Sequence, residues 1–233
     1  MDISPSPSTS SPPTPPTTPA FEVHRGRGRF NAAFFHVMDP VLTRSLGIHK
    51  QRVFADLRGD VAEIGPGVGA NLPYLASGMT LIAIEPNPYM HGRLIVATRR
   101  HGVQLELRQR GAEDTGLADR SVDAVISSLV LCSVQDPTAV LTEVRRILRP
   151  GGTFRFVEHV AARNGTFTRA AQRLLRRPWS WTFEGCSCER DLESAVRAAG
   201  FDSVEVENYR IRTPFVPFNT QIAGIARVER ASL

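Results

Sequence analysis

A glycine-rich turn carries the clearest chemistry of this sequence. An apolar stretch at residues 60–64 reads as a short strand, and the segment that follows it holds Gly65, Gly67 and Gly69. Glycines at the end of a strand let the backbone turn tightly and let a ligand lie against it. Because Gly65, Gly67 and Ala70 also fit the spacing of a dinucleotide fingerprint, the turn alone leaves two alternatives open, a nicotinamide cofactor and a turn without a ligand.

Two carboxylates beside the turn narrow the choice of cofactor. Glu63 stands two residues before Gly65, at the end of the predicted strand. A carboxylate there suits a cationic ammonium group and would be unfavourable beside a pyrophosphate, which prefers bare backbone N–H groups. Glu85 stands twenty residues after Gly65, at the end of the next strand, where a carboxylate can accept hydrogen bonds from two ribose hydroxyls. Together they favour a cofactor that combines an ammonium group with a ribose.

Several side chains further along could contact an acceptor molecule. His159 follows the fifth predicted strand and is the first candidate for a catalytic base or an acceptor-orienting group, with a hydrogen-bonded structural histidine as an equal alternative. Cys132 follows the fourth strand and is a candidate substrate contact, although cysteine is more often a small buried hydrophobic residue. His36, Trp181 and Phe183 are further candidate substrate contacts.

The elements that position these residues alternate along the chain. The apolar patterns predict five strands (60–64, 80–84, 103–107, 122–127 and 153–157) and helices between them (71–76, 88–100 and 137–148). This alternation implies a parallel, doubly wound sheet, whose ligands bind beyond the carboxyl ends of the first and fourth strands. Ser128 and Leu129 follow the fourth strand, so we expect them to contact the cofactor.

The two ends of the chain depart from this alternation. After a helix at 189–199, residues 203–209 and 221–229 predict two strands with no helix between them, the second antiparallel to the first. Residues 1–20 are nearly all Pro, Ser and Thr and predict a disordered tail. Residues 21–57 predict an N-terminal lid of two or three short helices, broken at Pro40 and Gly47, and residues 58–233 form the main domain.

Composition and charge limit the classes of partner. The net charge of +5 comes with arginines spread along the whole chain, so no nucleic-acid partner is expected. The basic face at Arg169, Arg173, Arg176 and Arg177 is either solvated or in contact with anionic lipid, and no segment is apolar over a length that spans a membrane. Three cysteines without disulfide or zinc-finger spacing predict no metal site and a cytoplasmic protein. The oligomeric state is left open.

Several segments in order carry a family resemblance. Residues 63–69 resemble the first motif of the class I S-adenosylmethionine-dependent methyltransferases. Glu85 and Pro86 resemble the acidic segment after the second strand of that family, and Ala112 and Glu113 resemble its adenine-contacting segment. The likeness covers about residues 60–160. It implies S-adenosylmethionine as the cofactor and a Rossmann-like α/β fold, with a seven-stranded, mostly parallel sheet and an antiparallel C-terminal strand.

A narrower likeness concerns the acceptor. Residues 128–134, 158–162 and 181–186 resemble the methyltransferase-like alkyl thiol methyltransferases, whose known members are membrane-associated through an apolar N-terminal segment. This chain has a Pro/Ser/Thr-rich tail there, which leaves only peripheral membrane contact open. The likeness implies methyl transfer to a small, fairly apolar acceptor, with a thiol as the leading candidate. The alternatives are an oxygen, nitrogen or carbon acceptor of secondary or quinone metabolism, a nicotinamide-dependent oxidoreductase and a non-catalytic cofactor-binding domain.

Overall fold

The computed structural model describes residues 24–230, so the tail predicted at residues 1–20 lies outside the described part of the chain. Within that part, seven strands form one sheet: β1 (Val61–Ile64), β2 (Thr80–Ile84), β3 (Gln104–Arg108), β4 (Val122–Ser128), β5 (Leu148–His159), β6 (Ser203–Arg210) and β7 (Thr220–Arg227). Their order is β3-β2-β1-β4-β5-β7-β6, and β7 is antiparallel to both of its neighbours while all other pairs are parallel. The predicted sheet is therefore confirmed.

Helices flank the sheet: α1 (Arg25–Phe54), α2 (Pro88–His101), α3 (Pro137–Ile147), α4 (Phe167–Thr182) and α5 (Leu192–Ala198), with short 3-10 turns at Leu72–Tyr74 and Val216–Phe218. Local sequence sets where they begin. The Asn87 side chain caps α2 and the Asp136 side chain caps α3. A proline follows each cap, where its missing N–H costs no helical hydrogen bond. Within residues 24–230, no helix has the length and apolar character needed to cross a membrane.

Two apolar layers, one on each face of the sheet, hold these elements together. One layer packs α3 and α5 against strand residues that include Phe154 and Phe156, and the other packs α1 and α2 against residues that include Val61 and Leu81. The central strand β1 is buried along its whole length, as expected for a parallel strand with helices on both faces. This packing fixes the positions of the carboxyl ends of the parallel strands. The candidate site residues come directly after those ends.

The N-terminal segment is one helix and not the two or three short helices predicted. α1 continues from Arg25 to Phe54 through Pro40 and Gly47. Proline removes the hydrogen bond to the carbonyl four residues earlier, here that of His36. Because His36 and Pro40 are both exposed, water can reach that carbonyl and the helix continues.

Three other boundaries differ from the predictions. The helix expected at 71–76 is only a 3-10 turn, because the Asn71 side chain binds Glu63 and does not cap a helix. α5 begins three residues later than predicted, because Asp191 caps it. β5 begins directly after α3, so the residues 149–152 that were predicted as a turn belong to the strand. An irregularity in the pairing of β5 with β4 accommodates these extra residues.

Candidate functional site

A cavity of about 560 Å3 opens where β1, β2, β4 and β5 end, at the carboxyl edge of the sheet. Its volume lies in the usual range for small-molecule sites. Its walls come from the glycine turn, from the segments after β2, β3 and β4, from α1 and the end of α4, and from the loop between β6 and β7. The fold therefore gathers most of the predicted site residues around one cavity.

Two glycines of the turn meet different surroundings. Gly65 has a φ of +60°, and a Cβ there would lie 2.5 Å from Cγ2 of Val130, so only glycine fits. Gly67 has a φ of +57°, and a Cβ there would meet no atom within 4 Å, because this residue faces the cavity. Gly69 is buried and does not line the cavity. The turn therefore presents the backbone of Gly67 to a ligand.

The Glu85 carboxylate is fixed against the glycine turn. One of its oxygens accepts a hydrogen bond from the Gly67 N–H at 2.9 Å, and the other accepts one from the Asn87 N–H at 2.8 Å. Burial raises the pKa of Glu85 to about 7, and the nearby Glu184 carboxylate adds to the rise. Since each carboxylate oxygen has two lone pairs, both keep one for a ligand hydroxyl.

Glu63 lies one layer behind the cavity wall. Asn71, which lines the cavity, donates to Oε1 of Glu63 at 2.7 Å. Oε2 of Glu63 has no hydrogen-bond partner among residues 24–230. Burial raises the pKa of Glu63 to about 7, although Asn71 and the Lys50 ammonium oppose the rise. A cationic ligand group that reached this buried oxygen would gain a charge-assisted hydrogen bond.

The remaining predicted cofactor contacts also line the cavity: Pro86, Ala112, Glu113, Ser128 and Leu129. The Glu113 carboxylate accepts a hydrogen bond from the Gln135 N–H at 3.0 Å, which ties the segment after β3 to the segment after β4. Of the predicted set, only Glu63 and Gly69 do not line the cavity themselves.

The backbone is strained where β4 ends at the cavity. Leu129 has a φ of +63°, which is unfavourable for a residue with a side chain. Glu158 supports this conformation, because its Oε1 accepts hydrogen bonds from the Ser127 hydroxyl at 2.6 Å and from the Val130 N–H at 3.1 Å. Strain that surrounding contacts hold in place is typical of functional sites.

Two cysteines and a histidine meet at the cavity wall. Nε2 of His159 lies 3.1 Å from Sγ of Cys186, which lies 3.4 Å from Sγ of Cys132. The Trp179 indole N–H donates to the Cys186 sulfur at 3.2 Å. Hydrogen bonds from Cys132 and Cys188 hold the pKa of Cys186 well below its usual value. Burial alone would lower the pKa of His159, but the adjacent Cys186 sulfur raises it overall.

Aromatic rings complete this part of the wall. The ring centroids of Phe34 and Phe183 lie 5.1 Å apart, those of Trp179 and Phe183 lie 4.7 Å apart, and those of Phe34 and Phe215 lie 5.9 Å apart. All four residues line the cavity. The sulfur–aromatic wall consists of these residues and the cluster beside them: Phe34, Cys132, His159, Trp179, Phe183, Cys186 and Phe215.

Two of the predicted substrate contacts lie elsewhere. Trp181 is 68% exposed, His36 is exposed, and neither lines the cavity. Trp179 lies where Trp181 was expected, because α4 continues through Pro178 and a helix turns residues two apart toward different sides.

Lys50 lines the cavity, although no motif of the sequence indicated it. It is buried, and burial lowers the pKa of its ammonium group to about 8. A lysine in a helix that carries both polar and apolar residues is usually solvated. Lys50, however, stands four residues after Leu46 and four before Phe54. Helical spacing puts these three on one face, which is the signal that could have found it. Cys186 and Phe215 were missed because only the tertiary fold brings their loops to the cavity.

The cavity residues fit S-adenosylmethionine. Gly67 leaves its backbone open to a ligand, and Glu85 holds a fixed carboxylate with free lone pairs at the cavity. Behind Asn71, the Glu63 carboxylate keeps one oxygen without a hydrogen-bond partner among residues 24–230. A dinucleotide would instead bring an anionic pyrophosphate toward this carboxylate-rich turn, which is unfavourable.

Known proteins resemble this chain in sequence. Residues 62–156 match the family described as the methyltransferase domain. The thiol S-methyltransferase TMT1B of Homo sapiens is 33% identical over 202 residues, which cover 82% of each chain. The thiol S-methyltransferase TMT1A of Homo sapiens is 39% identical over 168 residues, which cover 70% of this chain and 68% of that one.

A solved structure resembles the fold. The SAM-dependent methyltransferase from Thermotoga maritima superposes with a TM-score of 0.66, covering 88% of this chain and 99% of the other, at 19% sequence identity. At that identity the likeness concerns the fold alone, and it agrees with the sheet order described above.

Proposed function

The chain belongs to the class I S-adenosylmethionine-dependent methyltransferases, close to the thiol S-methyltransferases, and from this premise we propose that its acceptor is a small, apolar thiol. The observation that carries the proposal is the sulfur–aromatic wall, which shares one cavity with the cofactor residues. Aromatic rings bind the apolar body of an acceptor. The names of the two human relatives, which match over most of their length, support the same acceptor atom.

Glu85, Gly67 and the Glu63–Asn71 pair hold the cofactor in this proposal. Glu85 accepts hydrogen bonds from the ribose hydroxyls, and the backbone of Gly67 lies against the cofactor. The ammonium group binds beside Asn71, and the buried Glu63 carboxylate behind Asn71 balances its charge. The contacts are completed by Gly65, Pro86, Ala112, Glu113, Ser128 and Leu129, with Gly69 packed behind the turn. When bound, S-adenosylmethionine supplies a methyl group on a sulfonium, an electrophile that needs no further activation by the protein.

The protein then has to align the acceptor and exclude water. α1 serves as the lid, and the Asn31 side chain ties it to the end of α4 by donating to the Thr182 carbonyl at 3.0 Å. His159 orients the acceptor sulfur, with Nε2 engaged by Cys186 and Nδ1 without a partner among residues 24–230. A thiol is partly ionised at neutral pH, so it needs little help from a base.

Acceptor preference tests the proposal directly. With S-adenosylmethionine saturating, we expect kcat/KM for an alkyl or aryl thiol to exceed that of the isosteric alcohol or phenol by at least about 100-fold, because a hydroxyl needs general-base catalysis worth about that much. Product formation measured by mass spectrometry for thiol, alcohol and amine of the same carbon skeleton gives the comparison. Equal or better transfer to the oxygen or nitrogen acceptor would refute the thiol assignment.

The two tryptophans of α4 form a matched pair. We expect Trp179→Ala to raise KM for the thiol by at least about tenfold, the effect of losing about 1.4 kcal/mol of aromatic contact, and to leave the affinity for S-adenosylhomocysteine unchanged. Trp181→Ala removes a ring that does not line the cavity and should change neither. Steady-state kinetics and calorimetry measure both. If Trp181→Ala raised KM as much as Trp179→Ala, the sulfur–aromatic wall would not be the acceptor surface.

The surface of α4 bears on where the protein works. Phe167 and Leu174 are 79% and 81% exposed, and the neighbouring Arg173, Arg176 and Arg177 are exposed as well. Apolar side chains beside arginines suit the surface of an anionic bilayer, so we propose peripheral membrane contact through α4. None of the three cysteines forms a disulfide, which supports the expectation of a reducing, cytoplasmic setting.

Cosedimentation with lipid vesicles tests this contact. The protein should sediment with vesicles that contain phosphatidylserine and not with purely zwitterionic vesicles. Leu174→Ser should reduce the bound fraction, whereas Val96→Ser, at an exposed apolar position of α2, should not. Equal binding to both vesicle types, or equal loss in both variants, would refute contact through α4.

A further inference from the structure

Three side chains with metal-binding atoms converge on the cavity wall. Sγ of Cys132, Nε2 of His159 and Sγ of Cys186 all lie within 4.8 Å of one another, and all three residues are buried and line the cavity. Each comes from a different part of the fold: the turn after β4, the end of β5 and the loop after α4. Because 27 residues separate neighbouring members of the set, no local spacing in the sequence reveals it.

The distances between these atoms are close to those around a tetrahedral zinc ion. Zinc bonds of about 2.0–2.3 Å to nitrogen and sulfur place neighbouring ligand atoms about 3.5–3.8 Å apart. Here Nε2 of His159 lies 3.1 Å from Sγ of Cys186, and that sulfur lies 3.4 Å from Sγ of Cys132. Shifts of a few tenths of an ångström would bring these two pairs to the spacing of zinc ligands, and the third separation, between His159 and Cys132, is at most 4.8 Å.

The surroundings also suit a metal–thiolate centre. The Trp179 indole N–H points at the Cys186 sulfur at 3.2 Å, which is the kind of outer hydrogen bond that orients and stabilises a metal-bound thiolate. Two sulfurs and one imidazole select a borderline-soft ion with tetrahedral preference, and Zn2+ is the common one. Two thiolates would neutralise its charge in this buried position.

We propose that Cys132, His159 and Cys186 bind one Zn2+ ion and that its fourth coordination position, which opens into the cavity, holds the acceptor sulfur as a thiolate. Binding of the ion displaces one proton from Cys132 and the proton that His159 and Cys186 share, and both pass to solvent. Binding of the acceptor breaks its S–H bond, forms a sulfur–zinc bond and releases one further proton. The acceptor part of this proposal rests on the proposed thiol function, whereas the zinc site does not.

Cys188 distinguishes an open site from a closed one. It is buried near Cys186 but does not line the cavity and is not part of the three-atom cluster. If Cys188 served as a fourth ligand, the ion would be structural and could not take an acceptor. Cys188→Ser is therefore the matched control for Cys186→Ser, since both remove one buried sulfur from the same loop.

Metal content of the full chain, purified without chelators, is the first measurement. We expect one Zn2+ per chain by inductively coupled plasma mass spectrometry, the same content in Cys188→Ser, and loss of the metal in Cys186→Ser and Cys132→Ser. Unchanged affinity of the variants for S-adenosylhomocysteine shows that they are folded. A wild-type protein that neither carries Zn2+ nor takes it up when Zn2+ is added overturns the site, and loss of metal from Cys188→Ser overturns the open position.

Cobalt substitution tests the acceptor position independently of turnover. Co2+ added to the metal-free protein should give the intense visible bands of a tetrahedral ion and a near-ultraviolet charge-transfer band from sulfur. A thiol should shift the visible bands and add charge-transfer intensity, and the isosteric alcohol should do neither. Unchanged bands with the thiol overturn acceptor binding at the metal.

Two outcomes separate the zinc site from the thiol function. Full thiol methylation by metal-free protein overturns the zinc role and leaves the thiol function intact. A thiol-induced shift of the bands without any thioether product overturns the thiol function and leaves the metal site intact.

Discussion

Gly67→Ala should raise the dissociation constant for S-adenosylhomocysteine by at least about 100-fold, a loss of about 2.7 kcal/mol, while the protein stays folded. The added methyl group meets no protein atom within 4 Å, because it enters the cavity. It therefore occupies space that the cofactor needs beside the backbone. The left-handed φ of +57° costs the variant about 1 kcal/mol of unfolding free energy. Calorimetry with S-adenosylhomocysteine and thermal unfolding measure the two effects.

Gly78→Ala is the control for Gly67→Ala. Gly78 also has a left-handed φ, +87°, and a Cβ there would also meet no atom within 4 Å, but the residue is exposed and does not line the cavity. The two variants should lose similar unfolding free energy, and only Gly67→Ala should lose the cofactor. Cofactor affinity that fell equally in both, or in neither, would contradict the assignment of the turn.

Glu85→Ala should weaken S-adenosylhomocysteine binding by at least about 100-fold, because hydrogen bonds to a charged group contribute about 1.5–3 kcal/mol each and Glu85 can accept two from a ribose. The variant also frees the N–H groups of Gly67 and Asn87, which the carboxylate now holds. Glu85→Gln keeps the shape of the side chain and should show a smaller loss. Glu205→Ala, an exposed glutamate on β6, should bind normally. Calorimetry on the three variants would refute the ribose contact if Glu85→Ala bound like Glu205→Ala.

The same carboxylate makes cofactor affinity depend on pH. The pKa of Glu85 is about 7 in the free protein, so acid converts it to the neutral form, which is the weaker acceptor. Protonation of Glu85 alone should therefore lower the affinity by about tenfold from pH 8 to pH 6, since binding favours the ionised form. Glu63, with a pKa also of about 7, faces the same region and steepens the dependence, while Glu184 contributes to the raised pKa of Glu85. Glu85→Gln should lack this contribution, so that its affinity changes by about tenfold less between pH 8 and pH 6 than that of the wild type. An unchanged pH dependence of the affinity would contradict the role of Glu85.

The part of the site that lies near the strand ends could be predicted from sequence. A parallel sheet puts the carboxyl ends of its strands at one edge, so Gly67, Glu85 and Ser128 had to meet once their strands were recognised. The apolar period of two and the turn residues after each strand carry that information locally. Glu63 shows the limit of this reasoning, because its position at the end of a strand did not indicate that Asn71 would stand between it and the cavity.

The sulfur–aromatic wall could be predicted only in part, because it depends on how helices end and pack. Pro178 suggests that the helix ends before it, yet α4 continues to Thr182. Because of this continuation, Trp179 lines the cavity and Trp181 does not. α1 likewise continues through Pro40, where the freed carbonyl lies on the exposed side. Cys186 approaches His159 through contacts between distant segments, which no local pattern encodes.

Transfer of an isotopically labelled methyl group to a thiol is the most direct measurement of the proposed reaction. Wild-type protein and Gly67→Ala are each incubated with S-adenosylmethionine that carries a trideuterated methyl group and with an alkyl thiol, and the products are identified by mass spectrometry. We expect the trideuteromethyl thioether and an equal amount of S-adenosylhomocysteine from the wild type, and neither from the folded variant. A wild-type protein that binds the cofactor but methylates only oxygen, nitrogen or carbon acceptors would contradict the thiol function. A Gly67→Ala variant that forms the thioether at the wild-type rate would contradict the cofactor site.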